Sequence, residues 1–547
     1  MISLALPLLL LSWFFVHFIH RFYIPPKKSR GILPTSLTNR RRNTTTVTLK
    51  TVYLRIESTA FNFRHDVLSH WLTRNTAARL PTALRVAFDA GIVISLLGMV
   101  VALVLLSWTF MLLARRLVAG LAPPSPDIHT HVKRAYQSDY APPTSPARSP
   151  ADLPVQLLIP GITLPLSHLP MLIGALFFSQ AIHEAGHAVC AALDGVPLQS
   201  LGASLTFVLP AAFVAFPSHT VAALSPHVRA RIAAAGPLLS ALLGLAFMLP
   251  FGRVFLLAGY SDVSAEGLMV ASVAPDSPLA SHLPLGAFLT ALDDFSLAGA
   301  KESAWHEYLT TPRPPDFKEP AWCVDTKWFL SHPHGCCTAP PPGPSSDACL
   351  VPLTDEETSR CTNASELLVP TTNVVTRCEG PCTNGQMCVR LRGGEEFLRI
   401  RVRSDDPKNP TRVILWRGAR DEIYQGVDVT RWRPRSPFLP LWFPNLAAEI
   451  MQYIQTLTIS LFFLNVLPLP QLDGGILLDA VLRHLERKSP GEIDVEVGVR
   501  ERGAPSRSLR GGFPSRLLRV LTIGLLGGCG LLAACDVILG KYMRSSG

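Results

Sequence analysis

Long apolar runs alternate with polar stretches along the whole chain. Runs with few or no charges cover residues 3–19, 91–113, 232–249, 451–467 and 520–539, the last broken only by Asp536. Each approaches the roughly 20 residues that a helix needs to cross a bilayer core. A further run, 169–193, is as apolar, but it carries His183, Glu184 and His187 in its middle and has Asp194 just beyond its end. Residues 202–218 are apolar, rich in β-branched and aromatic side chains, and broken by Pro210 and Pro217. That pattern predicts a re-entrant hairpin, with a short membrane helix as the alternative. Residues 157–169 contain Pro160, Gly161 and Pro165, which a straight helix tolerates poorly, and are expected to run extended into the histidine-bearing helix. The first run is followed by bulky Phe22, Tyr23 and Pro25 without an obvious small-residue cleavage site, so it is read as a retained anchor.

The polar stretches set the sidedness. Residues 21–85 are strongly basic, with Glu57 and Asp66 as the only acidic side chains, which predicts a cytosolic loop. Residues 120–150 are rich in proline and serine and read as a flexible linker. The long hydrophilic region 261–444 opens at 267–297 with strand-like pieces separated by Ser-Pro and Gly turns, and further strand-like pieces follow at 397–402 and 412–416. Within it lie Cys323, Cys336, Cys337, Cys349, Cys361, Cys378, Cys382 and Cys388, eight of the eleven cysteines. So dense an even cluster predicts disulfides in an oxidising lumen, with about 105 possible pairings. A zinc cluster helped by His332 and His334 is the competing reading, although the spacings match no paired-cysteine zinc pattern. Cys190, Cys529 and Cys535 lie in apolar runs and read as small buried hydrophobes. With the cysteine-rich region luminal, alternating sides returns the basic 21–85 loop and the arginine-rich 483–516 loop to the cytosol. Only Arg115 and Arg116 disagree. The Asn363-Ala-Ser sequon is then expected to be glycosylated and Asn43-Thr-Thr not.

Composition agrees with membrane residence. Of the 547 residues 48% are apolar and only 16% charged, and the mean hydropathy is +0.28. The net charge of +10 invites a nucleic-acid reading, but the positive residues flank the apolar spans, so no direct nucleic-acid binding is expected.

The chemistry concentrates in the segment from Gln180 to His187. On a helix, His183 and His187 share a face one turn apart and can hold one Zn²⁺, while Glu184 sits beside the place where water would be activated. Three ionisable groups inside an apolar helix cost on the order of 3 kcal/mol each unless they are paired or functional, which argues for a site. Catalytic zinc takes a third protein ligand. Asp473, at the end of another apolar span in a stretch loosened by Pro468, Pro470, Gly474 and Gly475, is the best candidate, with Asp479 in reserve.

The His-Glu-x-x-His helix, the Asn-x-x-Pro-x-x-x-x-Asp-Gly motif at 465–474 and the preceding Pro-Gly-Ile-Thr-Leu-Pro segment together resemble the site-2 protease family of intramembrane metalloproteases. The likeness spans roughly 157–539. It implies a polytopic α-helical membrane protein whose catalytic core is built from three helices, here the spans at Leu169, Ile232 and Met451. It also implies additional spans and a luminal PDZ-like α+β domain that carries the cysteine-rich insertion 323–388. The division expected is 1–119 for the N-terminal spans and basic loop, 120–156 for the linker, 157–260 for the first part of the core, 261–444 for the luminal domain, and 445–547 for the rest of the core. The resemblance further implies one zinc held by His183, His187 and Asp473, Glu184 as general base, and Asn465 holding the substrate backbone. The substrates implied are single-span, membrane-anchored transcription factor precursors of the Golgi or endoplasmic reticulum, already trimmed in the lumen, with the PDZ-like region as a size filter. One departure is Ser240, where bacterial relatives usually carry Asn.

Rival readings are an inactive relative acting as a binding module, a transporter, and a metalloenzyme acting on lipid. Internal repeats, expected of a transporter, are not evident, and the ligands and base that an inactive relative would have lost are all present.

Overall fold

The structure, a computed structural model, describes residues 11, 13–19, 45–74, 79–121, 164, 166–249, 257–300, 303–311, 321–338, 347–353, 358–365, 377–383, 385–392, 397–403, 411–488 and 512–545. The linker from residue 122, the extended segment before Leu164, most of the first apolar run and Asn43 lie outside these. The chain forms two units, one of residues 1–249 with 450–547 and one of residues 250–449.

The helices in chain order are α1 (Asn62–Arg74), α2 (Arg79–Leu121), α3 (Leu169–Leu193), α4 (Pro226–Met248), α5 (Ser303–Thr310), α6 (Arg420–Gly426), α7 (Phe443–Asn465), α8 (Asp473–Lys488) and α9 (Gly512–Ser545). Among the described residues five helices are long and apolar enough to cross a membrane, within α2, α3, α4, α7 and α9. The chain is a multi-pass membrane protein. α2 begins twelve residues before its apolar run, and one charge in that first stretch is tied to a neighbouring span. Asp89 accepts from Arg231 of α4 at 2.7 Å.

The spans meet through small residues, as expected where lipid leaves little hydrophobic drive between helices. A Cβ on Gly186 of α3 would come within 2.5 Å of the Ala235 carbonyl oxygen of α4, and one on Gly98 of α2 within 2.4 Å of the Phe462 ring of α7. Polar pairs add to this. Ser179 of α3 and Thr458 of α7, both buried, are 2.8 Å apart, and His168 at the head of α3 meets the Tyr453 hydroxyl at 2.7 Å.

The apolar 202–218 segment folds as the hairpin β3 (Ser200–Thr206) and β4 (Leu209–Ala215), not as a helix. The strands turn through Phe207, whose φ of 55° is left-handed. Strands from the basic N-terminal stretch extend this sheet. β1 (Thr45–Lys50) pairs with β2 (Tyr53–Ser58), and β2 pairs antiparallel with β3, Tyr53 opposite Thr206 and Ser58 opposite Leu201. Gly202 permits that approach, since a Cβ there would lie 2.1 Å from the Ile56 carbonyl oxygen. The stretch 45–74 is therefore part of the helical unit and not merely a connecting loop, a correction to the sequence reading. Its β-branched residues find in β3 a partner that no local pattern announces.

The second unit holds three sheets. A short ladder pairs β5 (Tyr260–Asp262) with β17 (Trp432–Pro434). The larger sheet has β6 (Leu268–Val273), β7 (Phe288–Leu292), β14 (Phe397–Arg403), β15 (Thr411–Arg417) and β16 (Val427–Thr430) in the order β15-β14-β7-β6-β16, with β8 (Phe295–Ser296) beside β7. Its alternating residues bury Leu268, Leu289, Leu398 and Ile400 against Trp305 and Leu309 of α5 and Ile423 of α6. Between α5 and β14 the chain builds a separate sheet of β9 (Ala321–Asp325), β10 (Asp347–Pro352), β11 (Arg360–Asn363), β12 (Arg377–Cys378) and β13 (Gln386–Leu391), in the order β11-β10-β13-β9-β12. Its core contains Trp322, Phe329, Leu350 and Val389. The eight cysteines form four bridges, Cys323–Cys382, Cys336–Cys361, Cys337–Cys349 and Cys378–Cys388. Neither His332, bound to the Trp328 carbonyl oxygen at 2.8 Å, nor His334, in contact with Arg360, joins a cysteine cluster.

Candidate metal centre

α3 places His183 and His187 one turn apart, and both are buried, 5% and 8% exposed. The third group comes from the other end of the unit. α7 ends at Asn465, and the chain turns through Val466–Leu472 by short backbone bonds, Leu469 N–H to the Leu467 oxygen at 2.7 Å and Leu472 N–H to the Leu469 oxygen at 3.1 Å. α8 then opens with Asp473 itself. A carboxylate suits a helix N-terminus, where free N–H groups carry partial positive charge. Gly474 and Gly475 are required here, because a Cβ on either would lie 2.0–2.1 Å from the Val466 or Leu469 carbonyl oxygen.

Asp473 Oδ2 lies 2.9 Å from His183 Nε2 and 3.2 Å from His187 Nε2, and the two Nε2 atoms are 3.3 Å apart. The opposite edge of each ring is fixed. His187 Nδ1 faces the Ile232 carbonyl oxygen at 2.8 Å, and a carbonyl only accepts, so Nδ1 carries the proton and Nε2 keeps its lone pair. His183 Nδ1 lies 3.0 Å from Ser240 Oγ, a hydroxyl able to accept its proton. Outer partners of this kind orient metal-binding imidazoles. Two lone-pair nitrogens and one carboxylate oxygen converging in a buried site leave negative charge and acceptors without a donor, which a divalent cation satisfies. The donor set fits zinc. Gly236 of α4 makes the space, since a Cβ there would come within 2.3 Å of His187 Nε2 and 2.7 Å of His183 Nε2.

Glu184, next to His183 in the chain, reaches the sheet with one carboxylate oxygen. Its Oε2 accepts from the Val214 N–H of β4 at 3.0 Å, and one turn earlier Gln180 Oε1 accepts from the Ala212 N–H at 2.9 Å. Both N–H groups lie on the outer edge of β4, opposite β3.

Of the sequence candidates, His183, His187 and Asp473 converge. Glu184 is beside them. Asp479 does not join them and instead pairs with Arg519 of α9 at 2.7 Å. Asn465 closes α7, half-buried, and is not one of the converging groups. Sequence reasoning passed over Gly236, Gln180 and the role of Ser240 as partner of His183. The run of small residues from Ala233 to Gly236 in a membrane helix was the available signal for the first.

Comparison with known proteins bears on the same residues. The model of peptidase family M50 matches residues 171–379, which includes all of Gln180–His187 but not Asp473. A membrane-bound transcription factor site-2 protease homolog of Arabidopsis thaliana is 23% identical over 392 residues, covering 60% of this chain and 73% of that one.

Proposed function

We propose that the chain is a member of the site-2 protease family of M50 peptidases, to which it is similar, and that it is a zinc metalloendopeptidase that cuts a peptide bond in or at the edge of a substrate's membrane helix. Its substrates in this reading are single-span transcription factor precursors already trimmed in the lumen, whose cytosolic part is released. The observation that carries the proposal is the convergence of Asp473, at the start of α8, on His183 and His187 of the membrane-long helix α3, with Glu184 one residue from a ligand.

When bound, zinc supplies Lewis acidity to a peptide carbonyl and to water. Glu184 then takes the proton from water at its carboxylate and returns it to the leaving amide nitrogen. Ser240 and the Ile232 carbonyl hold the imidazoles so that neither turns its N–H toward the ligand site. Asn465 belongs to the proposal as a group near the substrate backbone.

A helical substrate hides its carbonyls, so it must unwind first. In this proposal it does so by pairing with the outer edge of β4. The outward N–H groups of that edge, those of Ala212 and Val214, are held by Gln180 and Glu184, so a strand that pairs there displaces these side chains and lies beside the freed Glu184 carboxylate. Ala212→Pro removes an outward donor without touching the β3 ladder. Cleavage at the wild-type rate by that variant would end the strand-pairing part of the proposal.

The four bridges support an oxidising compartment for residues 261–444, with the larger sheet as a PDZ-like filter against bulky substrates and Golgi or endoplasmic reticulum as the location. A glycan on Asn363, read as an endoglycosidase-sensitive mass shift, tests that sidedness. The proteolytic reading is tested with wild type and Glu184→Gln in cells lacking their own such protease, given a tagged, luminally trimmed precursor. Release by the wild type alone, at equal protein level and zinc content, is expected. Release by both removes Glu184 as the base.

A further inference from the structure

α1 is the one long helix of the N-terminal stretch without the length to cross a membrane. Thirteen residues span roughly 20 Å, against a hydrocarbon core of about 30 Å. One side of it grips the end of the zinc-binding helix. His65 is 8% exposed and donates from Nε2 to the Ala188 carbonyl oxygen at 3.0 Å, and Leu72, 1% exposed, packs with Phe88, Cys190, Leu193 and Leu238. Ala188 to Leu193 are the last six residues of the spanning helix α3. α1 therefore lies at the level where that span leaves the hydrocarbon.

Its opposite side exposes large apolar side chains. Phe63 is 71% exposed, Val67 54% and Trp71 45%, at i, i+4 and i+8 on one stripe, with Leu68 beside them. Arg64 and Arg74 are exposed along the same side. Five residues after α1 ends, the chain enters the membrane span α2. An apolar stripe with basic residues among it, at the depth of a span's end and continuous with another span, has the composition of an in-plane membrane helix.

We propose that the Phe63–Val67–Trp71 face of α1 embeds in the headgroup boundary of the leaflet at the C-terminal end of α3, with Arg64 and Arg74 on anionic phospholipid headgroups. The occupant of this face is lipid, argued from its depth, its charge and its continuity with α2. Through His65 and Leu72 the same helix fastens the metal-bearing helix to the membrane surface. The inference does not depend on proteolysis.

The test uses the full chain in nanodiscs of phosphatidylcholine with or without phosphatidylserine. Benzoylphenylalanine is placed at 63 or 67, at Phe177 on the open face of α3 as a lipid-facing control, and at half-buried Ser69 as a protein-facing one. After irradiation, mass spectrometry is expected to find phospholipid adducts at 63, 67 and 177 and peptide adducts at 69. Phosphatidylserine should raise the yield at 63 and 67 severalfold, and Arg64→Gln with Arg74→Gln should abolish that rise. Adducts at 63 and 67 to a second copy or another protein, or none there while 177 captures lipid, would overturn the proposal. A rise that survives loss of both arginines would overturn the anionic-headgroup part.

Discussion

The two units hold together by different means. Residues 250–449 bury leucine, isoleucine and valine in two clusters and add four disulfides. The helical unit leaves Cys190, Cys529 and Cys535 free and packs through Gly186, Gly236 and Gly98, with buried pairs such as Ser179–Thr458 and an ionic cluster of Arg231, Asp89 and Asp194. The contrast follows from the solvent. In water, apolar burial drives packing; in lipid, tails compete equally well for apolar surface, so close backbone approach and polar contacts carry more of the load. A polar group placed inside the helical unit is thus both an adhesive and the raw material of a catalytic site.

The largest effect that sharpens this contrast should come from opening Cys323–Cys382, which closes 59 residues. Loop-closure entropy gives about 4 kcal/mol as an upper value, since two other bridges already shorten the loop. Cys323→Ser with Cys382→Ser should lower the thermal stability of the second unit while zinc content is unchanged. If zinc is lost as well, the units are not independent in stability.

Next in size is Arg231→Leu. Arg231 NH1 donates to Asp194 at 2.8 Å, and the other Asp194 oxygen has no hydrogen-bond partner among the described residues. Removing the cation strands a buried carboxylate at the end of α3, for a cost of about 3 kcal/mol. Detergent-solubilised protein should unfold at lower temperature, with the disulfide-linked unit unaffected. No change would mean that water already serves Asp194.

A smaller effect is expected from Ser240→Ala. It removes the His183 Nδ1 partner but leaves that of His187, a backbone carbonyl, intact. Zinc affinity measured by chelator competition should fall about 10-fold, and Ser240→Asn should restore part of it. An unchanged affinity would leave Ser240 with a packing role only.

The smallest concerns pH and the second unit. Burial opposes ionisation of Asp262, but the hydrogen bonds from Arg431 and Ser264 outweigh it and bring its pKa down to about 2 from 3.8. A depressed folded-state value means stability that is present above about pH 4 and lost as pH falls toward 2. Asp262→Asn should flatten that part of the acid unfolding curve slightly, since the pair is partly exposed. An identical curve for the variant would deny Asp262 any share in acid stability.

The sequence made some of this legible for physical reasons. The boundaries 169–193 of the apolar run coincide with α3, because an uninterrupted span has no other way to satisfy its backbone in lipid. Asp473 stood out because Pro468, Pro470, Gly474 and Gly475 around it promised a turn into a helix start. Asp479, held in reserve behind Asp473, has its own partner in Arg519, forty residues downstream, which no local pattern announced. The pairing of β2 with β3 was likewise invisible, since it joins segments about 150 residues apart through a clearance at Gly202. Charge also misled. The basic residues of 21–85 drew attention to membrane sidedness and away from the Thr, Val, Tyr and Ile alternation that makes β1 and β2.

The separation of His183 and Asp473 by 290 residues has a further consequence in time. At a synthesis rate of about 5–20 residues per second, the two histidines leave the ribosome roughly 15–60 s before their carboxylate partner. Throughout that interval the nascent chain has no third ligand from Asp473. The triad is completed only when α8 has been made, so a translation product truncated before α8 is born without a complete centre. Synthesis as far as α8 is thereby the first checkpoint on the chemistry of this chain.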